Sequence, residues 1–338
     1  MGSLNSRERV IKAIEFSEPD RVPNGCYNLA VPPGQRAEAL KALYERYPID
    51  FAEAHGLART LEWGLKWSKG TYLDEWGIVW RNLQDGVIGQ PIQHPLADLE
   101  NLENYCFPDP LNEIRSIEDS IHGADHSKYL LADGGILWHR LHYLRGFQKI
   151  MLDLVQRRGE LPILISKLVK FNIERLKPIL ELDIDGVMFG DDWGTQERLM
   201  INPIHWRQYF KSAYKSMFDS VLKRGKHVFF HSDGYLTDIL PDLIEIGVNS
   251  VNIQVSLMGI ENINSRFGGK ICIAADVDRQ YTLPFGSHGE VRKHVRDIIY
   301  GFKGHCGGLI LYGEIGPDVP IDNAKSMLKA LEDYGSQI

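Results

Sequence analysis

The run VFFHSDGYL, residues 228–236, ends an apolar stretch of strand-forming residues in His231, Ser232, Asp233 and Gly234. Side chains alternate along a strand, so His231 and Asp233 lie on one side of it, presenting an imidazole and a carboxylate where a buried strand stops. Glu314, near the end of the strand-like GGLILYGEI (307–315), adds a second carboxylate from a strand that would lie beside the first one in a closed ring. One nitrogen and two oxygen donors with a position left open is the composition of a catalytic rather than a structural zinc site. The same residues also admit a purely structural role, in which His231 hydrogen-bonds a neighbouring carboxylate and Asp233 caps the helix that follows.

A second constellation is GDDWGTQERL, residues 190–199, where another apolar run ends in two adjacent carboxylates. Adjacent side chains point to opposite faces, so one of Asp191 and Asp192 faces the reactive end and the other caps the next turn. Both stand as candidates for general acid–base work. Glu103, Glu118 and His139 form a rival metal set, although its glutamates fall in a surface segment.

These residues must be positioned by a scaffold, and its elements are readable. Strand-like runs occur at 21–29, 49–54, 129–138, 185–192, 227–234, 249–254, 270–278 and 307–315, and amphipathic helices separate the later ones. Strands apolar on both faces that alternate with such helices imply a parallel sheet covered on its outer side. Eight of these units predict an α/β fold, a single (β/α)₈ barrel domain over residues 1–338; an open doubly wound sheet would call for a glycine-rich phosphate turn after the first strand, and none is present. The Trp-, Gly- and Pro-rich stretch from Trp63 to about Ile121 predicts a small hairpin-bearing insertion over one end. In a barrel of this kind chemistry sits at the C-terminal strand ends. Those ends carry Asn28, Glu53 with His55, His139, Asp191 with Asp192, His231 with Asp233, Gln254, Asp276 with Asp278, and Glu314. So many ionisable groups exceed what a mere cap over a core needs, because unpartnered buried carboxylates are costly.

Composition narrows the function classes. A net charge of −7 and no Lys/Arg-rich run argue against nucleic acid as a partner. No apolar run reaches the roughly 18–20 residues that span a bilayer, and the polar, amphipathic N-terminus does not read as a signal peptide. A cytoplasmic, membrane-free protein is expected. Cys26, Cys106, Cys272 and Cys306 are scattered without a CxxC pair, which predicts reduced, buried thiols rather than a disulfide framework.

TYLDEWGIVWRN, FPDP, the block GDDWGTQERL…HVFFHSDGYLTDILPDLIEIGVNSVNIQ and the closing GGLILYGEIGPDVPIDNAKSML resemble the uroporphyrinogen decarboxylase superfamily, and within it the zinc-dependent methyltransferases that serve corrinoid proteins. The resemblance covers nearly the whole chain and implies a single (β/α)₈ barrel. The decarboxylases carry an arginine-rich segment after the first strand that binds the acidic side chains of a porphyrinogen. Here that stretch reads NGCYNLAVPPGQR, with Arg36 alone. The thiol-methylating members carry His-x-Cys-Gly at one strand end and a second cysteine at the last strand. In this chain the corresponding positions are His231-Ser232-Asp233-Gly234 and, within YGEIG, Glu314. Oxygen ligands leave a metal harder than thiolates do, which suits an oxygen substrate.

The resemblance therefore implies a methyltransferase that demethylates an oxygen-bonded donor, an aryl methyl ether, and passes the methyl group to the cobalt of a corrinoid carried transiently on a partner protein. Zinc would be held by His231, Asp233 and Glu314. Asp192, or a water held by the metal, would donate a proton to the leaving oxygen. Trp193, Tyr312 and Trp63 would flank an aromatic ring, with Asn28, His139 and Gln254 lining the substrate site. A metal-free decarboxylase or lyase of the same superfamily is the alternative reading, and a barrel that only binds a ligand is the third.

Overall fold

The structure, a computed structural model, describes residues 4–28, 34–52, 68–85 and 88–336. Its strands in chain order are β1 (Tyr27–Asn28), β2 (Gly70–Leu73), β3 (Val79–Asn82), β4 (Gln90–Gln93), β5 (Leu131–Gly135), β6 (Gly186–Gly190), β7 (His227–Ser232), β8 (Ser250–Ile253), β9 (Cys272–Asp276), β10 (Leu309–Tyr312) and β11 (Glu314–Ile315). Strands β5 to β10 form one parallel sheet in sequence order. The ring continues past β10 through a bridge between Asn24 and Leu311 and the β1–β11 pair. It then passes through Asp50 N, which donates to Asn24 O at 2.9 Å, and returns to the first sheet strand through Ala52 N, which donates to Tyr129 O at 2.9 Å. The chain is thus a (β/α)₈ barrel, with the eight runs read from the sequence as its staves.

Alternation along the staves sorts the side chains. Phe51, Tyr129, Leu131, Met188, Phe229, Cys272, Ala274, Ile310 and Tyr312 fill the interior, and the helix Ser6–Ile14 plugs its N-terminal end with Val10, Ala13 and Ile14. The intervening residues, among them Val187, Phe189, Val228, Phe230, Val251, Ile253 and Ile273, face the helices and form the larger core between the two layers. Both faces of each strand are therefore buried, which is why the staves read as continuous apolar runs. No helix among the described residues is long and apolar enough to cross a membrane.

The insertion differs in detail from the expected hairpin. It is a three-stranded antiparallel sheet in the order β2-β3-β4, followed by a short 3₁₀ turn at Leu99–Glu103 and a helix at Ile114–His122. The sheet seats on the helix Trp138–Arg145, where Trp80 meets the Tyr143 ring edge-on at 4.8 Å between centroids. Of the four thiols Cys26 and Cys272 are buried as expected, whereas Cys106 and Cys306 are exposed.

Candidate functional site

Inward alternation brings a polar ring to the C-terminal mouth. Counting by twos from interior residues, Met188 leads to Asp192, Phe229 to His231 and Asp233, Ala274 to Asp276, and Tyr312 to Glu314. The ladder sets neighbours level, with Gly190 opposite His231 and His231 opposite Asn252. Two glycines then let the loops after β6 and β7 touch. A Cβ on Gly194 would stand 2.3 Å from Tyr235 N, and Gly234 adopts φ +77°, where a Cβ would meet Gly194 at 2.4 Å. Gly194 N donates to Asp233 O at 3.1 Å, and Asp233 N donates to Asp192 Oδ1 at 2.9 Å, so Asp192 is fixed beside Asp233.

At the centre, His231 Nε2 lies 3.5 Å from Asp192 Oδ1 and 3.6 Å from Asp233 Oδ1. One atom from each of these residues falls within 4.8 Å of the others, close enough to share a metal ion. His139 approaches from the helix Trp138–Arg145, its Nε2 3.4 Å from Asp192 Oδ2. Burial alone would lower both imidazoles, but the carboxylates more than offset it. Asp192, Asp191 and Asp233 raise His139, and Asp233, Asp192 and Asp276 raise His231. Burial tends to raise Asp192, yet the His139 hydrogen bond and the charges of His231 and His139 hold it well below the usual carboxylate range. Burial dominates at Asp276, whose carboxyl is pushed up to about 7.

The residue types fit a cation. Asp233 Oδ1 is buried and has no hydrogen-bond partner among the described residues, although it points at the His231–Asp192 gap. Such an orphan is costly unless something positive occupies the gap, either the imidazolium proton or a metal ion. Two carboxylates and one imidazole suit zinc and leave a position open. The third donor differs from the one expected. Arg279, in the turn after β9, bridges Asp233 Oδ2 and Glu314 Oε2, and Tyr27 OH donates to that same Glu314 oxygen at 2.7 Å. Glu314 is engaged by Arg279 and Tyr27, and it is Asp192 that lies within ligand reach of His231 and Asp233.

Several other expectations are revised. Asp191 has the opposite parity to Asp192 and turns outward, where it accepts from the backbone N–H groups of Leu137, Trp138 and His139 and from Tyr214 OH. It is the capping member of the pair and not an acid–base group at the mouth. Trp193 shares that outward parity. It is fully buried, stacked on Trp138 at 4.4 Å between centroids, and its Nε1 donates to Tyr214 OH, so it has no ring face to offer a ligand. Asp233 does not cap the following helix, and Asp278 caps its own turn through Gln280 N and Thr282 N. Glu103 is exposed on the insertion and is not brought together with Glu118 and His139, whose ring is engaged at the mouth. Gln254 braces the site by accepting from Gly234 N at 3.1 Å. Asn28 is buried, and Tyr312 lies almost buried in the interior with its ring edge-on to Tyr27. Glu53, His55 and Trp63 lie outside the described residues. Two residues that touch the site were not singled out from the sequence: Arg279, signalled only by a cation just past a strand end, and Asn252, an amide inside an apolar strand.

Comparison with known proteins places this geometry in context. A family model described as uroporphyrinogen decarboxylase (URO-D) matches residues 88–334. The uroporphyrinogen decarboxylase of Christiangramia forsetii is 24% identical over 264 residues, which cover 73% of each chain. A methyltransferase from Methanosarcina mazei superposes with a TM-score of 0.72 at 15% identity, covering 98% of this chain and 99% of that one. At that identity the likeness is one of fold.

Proposed function

Because the chain belongs to the uroporphyrinogen decarboxylase family, we propose that it is an enzyme that removes a methyl group from an oxygen-bonded donor, an aryl methyl ether, and passes it to the cobalt of a corrinoid on a separate protein. The observation that carries this reading is the convergence of Asp192, His231 and Asp233 at the C-terminal end of the barrel, with one carboxylate oxygen left without a partner among the described residues. Such a centre can stabilise a departing oxygen anion, which is the main obstacle to cleaving an ether. The corrinoid, when its carrier is docked, supplies the nucleophile. A zinc ion held by Asp192, His231 and Asp233 would supply Lewis acidity at the ether oxygen.

The chain's own residues bind the donor and manage one proton. The methyl carbon leaves oxygen, and the bonding pair stays on the phenolate. The His139 imidazole, raised above its ordinary value by the Asp192 hydrogen bond and the charge of Asp191, lies beside Asp192 Oδ2 and can deliver a proton to the phenolate oxygen. Arg279 pairs with both Asp233 and Glu314 and offsets one of their two negative charges, which leaves no free cation there to favour an anionic substrate over an uncharged ether.

The decarboxylase alternative asks for free cations to hold a polycarboxylate. Arg36 donates instead to the carbonyl oxygens of Gly316 and Val319, and Arg279 is engaged by two carboxylates. The test mixes the protein with a reduced corrinoid protein and a panel of methoxylated aromatics and follows methylcobalamin by absorbance. Methyl transfer that requires both partners is expected. Turnover of the ether with no corrinoid present, or loss of carbon dioxide from a porphyrinogen, would overturn the proposal.

A further inference from the structure

Behind His231 stands an amide whose orientation is determined by its surroundings. Asn252 on β8 is 2% exposed, and its Nδ2 donates to Ala274 O at 2.9 Å and to Asp276 Oδ1 at 2.7 Å. A backbone carbonyl has no proton to give, so the amide nitrogen must face Ala274 and the amide oxygen must face the imidazole. The 2.6 Å contact between His231 Nδ1 and Asn252 Oδ1 is therefore an N–H donating to oxygen.

We infer that Asn252, braced by Ala274 and Asp276, is a positioning residue that locks His231 in its Nδ1–H tautomer and aims the Nε2 lone pair at the gap between Asp192 and Asp233. This rests on the reading of those three residues as the reactive centre. The consequence is chemical. A neutral ring held this way faces two carboxylate oxygens with a lone pair, an arrangement that repels itself until a proton or a metal ion enters. In the opposite tautomer Nε2–H would donate to Asp192 or Asp233 and satisfy the gap from within, leaving nothing for a ligand to do. An amide achieves the lock without adding a fourth negative charge beside Asp192, Asp233 and Asp276, as a carboxylate at position 252 would.

The test reads the ring directly. In histidine-labelled, chelator-treated protein held above the titration of His231, nitrogen NMR of the wild type should show the Nδ1–H form. Asn252→Leu removes the acceptor and should move the ring toward Nε2–H, and it should weaken Co²⁺ binding, followed by absorbance, by about 10–100-fold. Asn252→Asp keeps an acceptor opposite Nδ1 and should hold the ring in the Nδ1–H form, whatever its added charge does to Co²⁺ affinity. An Nε2–H ring in the wild type, or an Asn252→Leu protein that keeps the wild-type tautomer and Co²⁺ affinity, overturns the inference. If Asn252→Leu does not fold, the wild-type tautomer and the Asn252→Asp protein still decide. No donor or corrinoid is used, so failure of methyl transfer counts against the proposed function and leaves this result standing.

Discussion

Both ends of the barrel hold carboxylates out of water, and they treat them in opposite ways. At the N-terminal end Asp50 is fully buried and completely engaged: it accepts from Arg9, both terminal nitrogens of Arg21, Ser6 Oγ and the Asn24 amide. Nearby, Asp185 takes Arg7 at 2.7 Å and the Leu130 amide at 2.8 Å. At the mouth Asp233 and Asp192 are each about 30% exposed, and among the described residues Asp233 Oδ1 is unpartnered while Asp192, Asp233 and Glu314 share Arg279, His139 and His231. The difference separates two uses of buried charge. Satisfied groups fix the fold, and a group left short of a partner marks where a ligand or a proton is meant to come.

The comparison breaks most sharply if the wrong end controls chemistry. Asp192→Asn takes away the carboxylate that would hold the metal and that sits against His139 Nε2. By disabling proton delivery from His139 it should cut methyl transfer by roughly 10²–10⁴-fold, while its urea midpoint stays near that of the wild type. A variant with unaltered turnover would remove Asp192 from the mechanism. Asp50→Asn should do the reverse. Breaking a buried ion pair from one side costs about 3–5 kcal/mol, so urea unfolding should show a large loss of stability. The fraction that remains folded should bind Co²⁺ as the wild type does. Equal stability would mean that the N-terminal network is not what closes that end.

Much of this was readable from the sequence, for reasons that also explain the gaps. The eight staves were legible because a parallel strand buried on both faces must be apolar throughout, as in Val228–Phe230 and Val251–Ile253. The third strand of the insertion, Gln90–Gln93, was not, because QPIQ has a single large apolar residue and a proline suited only to an edge. At the site, parity placed His231 and Asp233 together, and parity carried one strand further would have sent Trp193 outward with Asp191. The aromatic patch that receives it, Trp206, Phe210 and Tyr214, was already visible in HWRQYFKSAY. Arg279 could not be placed, since its reach to Asp233 and Glu314 depends on the path of the turn after β9 and no periodicity describes a turn.

Arg279 offers a way to sharpen the comparison, because among the described residues it is the arginine that pairs with the carboxylates of the mouth. Arg279→Met frees Asp233 Oδ2 and leaves Glu314 Oε2 with Tyr27 OH alone, so that more negative charge surrounds the cluster. Co²⁺ should bind about tenfold more tightly, a change of roughly 1.4 kcal/mol, and Glu314 would then be free to join the ligands. Weaker binding would instead show that Arg279 orients Asp233 for the metal, which would turn the bridge from a competitor into a support.

The smallest effect expected is on the pH dependence of stability, where the two ends should pull in opposite directions. At the N-terminal end burial holds His227 below its ordinary value, and the nearby Glu15 only partly offsets it. A depressed group contributes stability that is present above the unfolded value of about 6.5 and is lost as pH falls through the folded one. At the mouth His139 and His231 are raised, so their contribution is complete below about 6.5 and is lost as pH rises through their folded values. Asp276, raised by burial to about 7, acts in the same direction over a lower window: its contribution is complete below the unfolded value of about 3.9 and gone above about 7, so it blunts the acid limb and does not form the alkaline one. Urea unfolding of chelator-treated protein between about pH 5 and about pH 9 should therefore give a stability maximum with two limbs of separate origin. His227→Gln should flatten the acid limb alone, and His231→Gln the alkaline limb alone. If His231→Gln flattened the acid limb instead, the imidazole would be held neutral in the folded protein, and the carboxylates of Asp192 and Asp233 would not govern its proton.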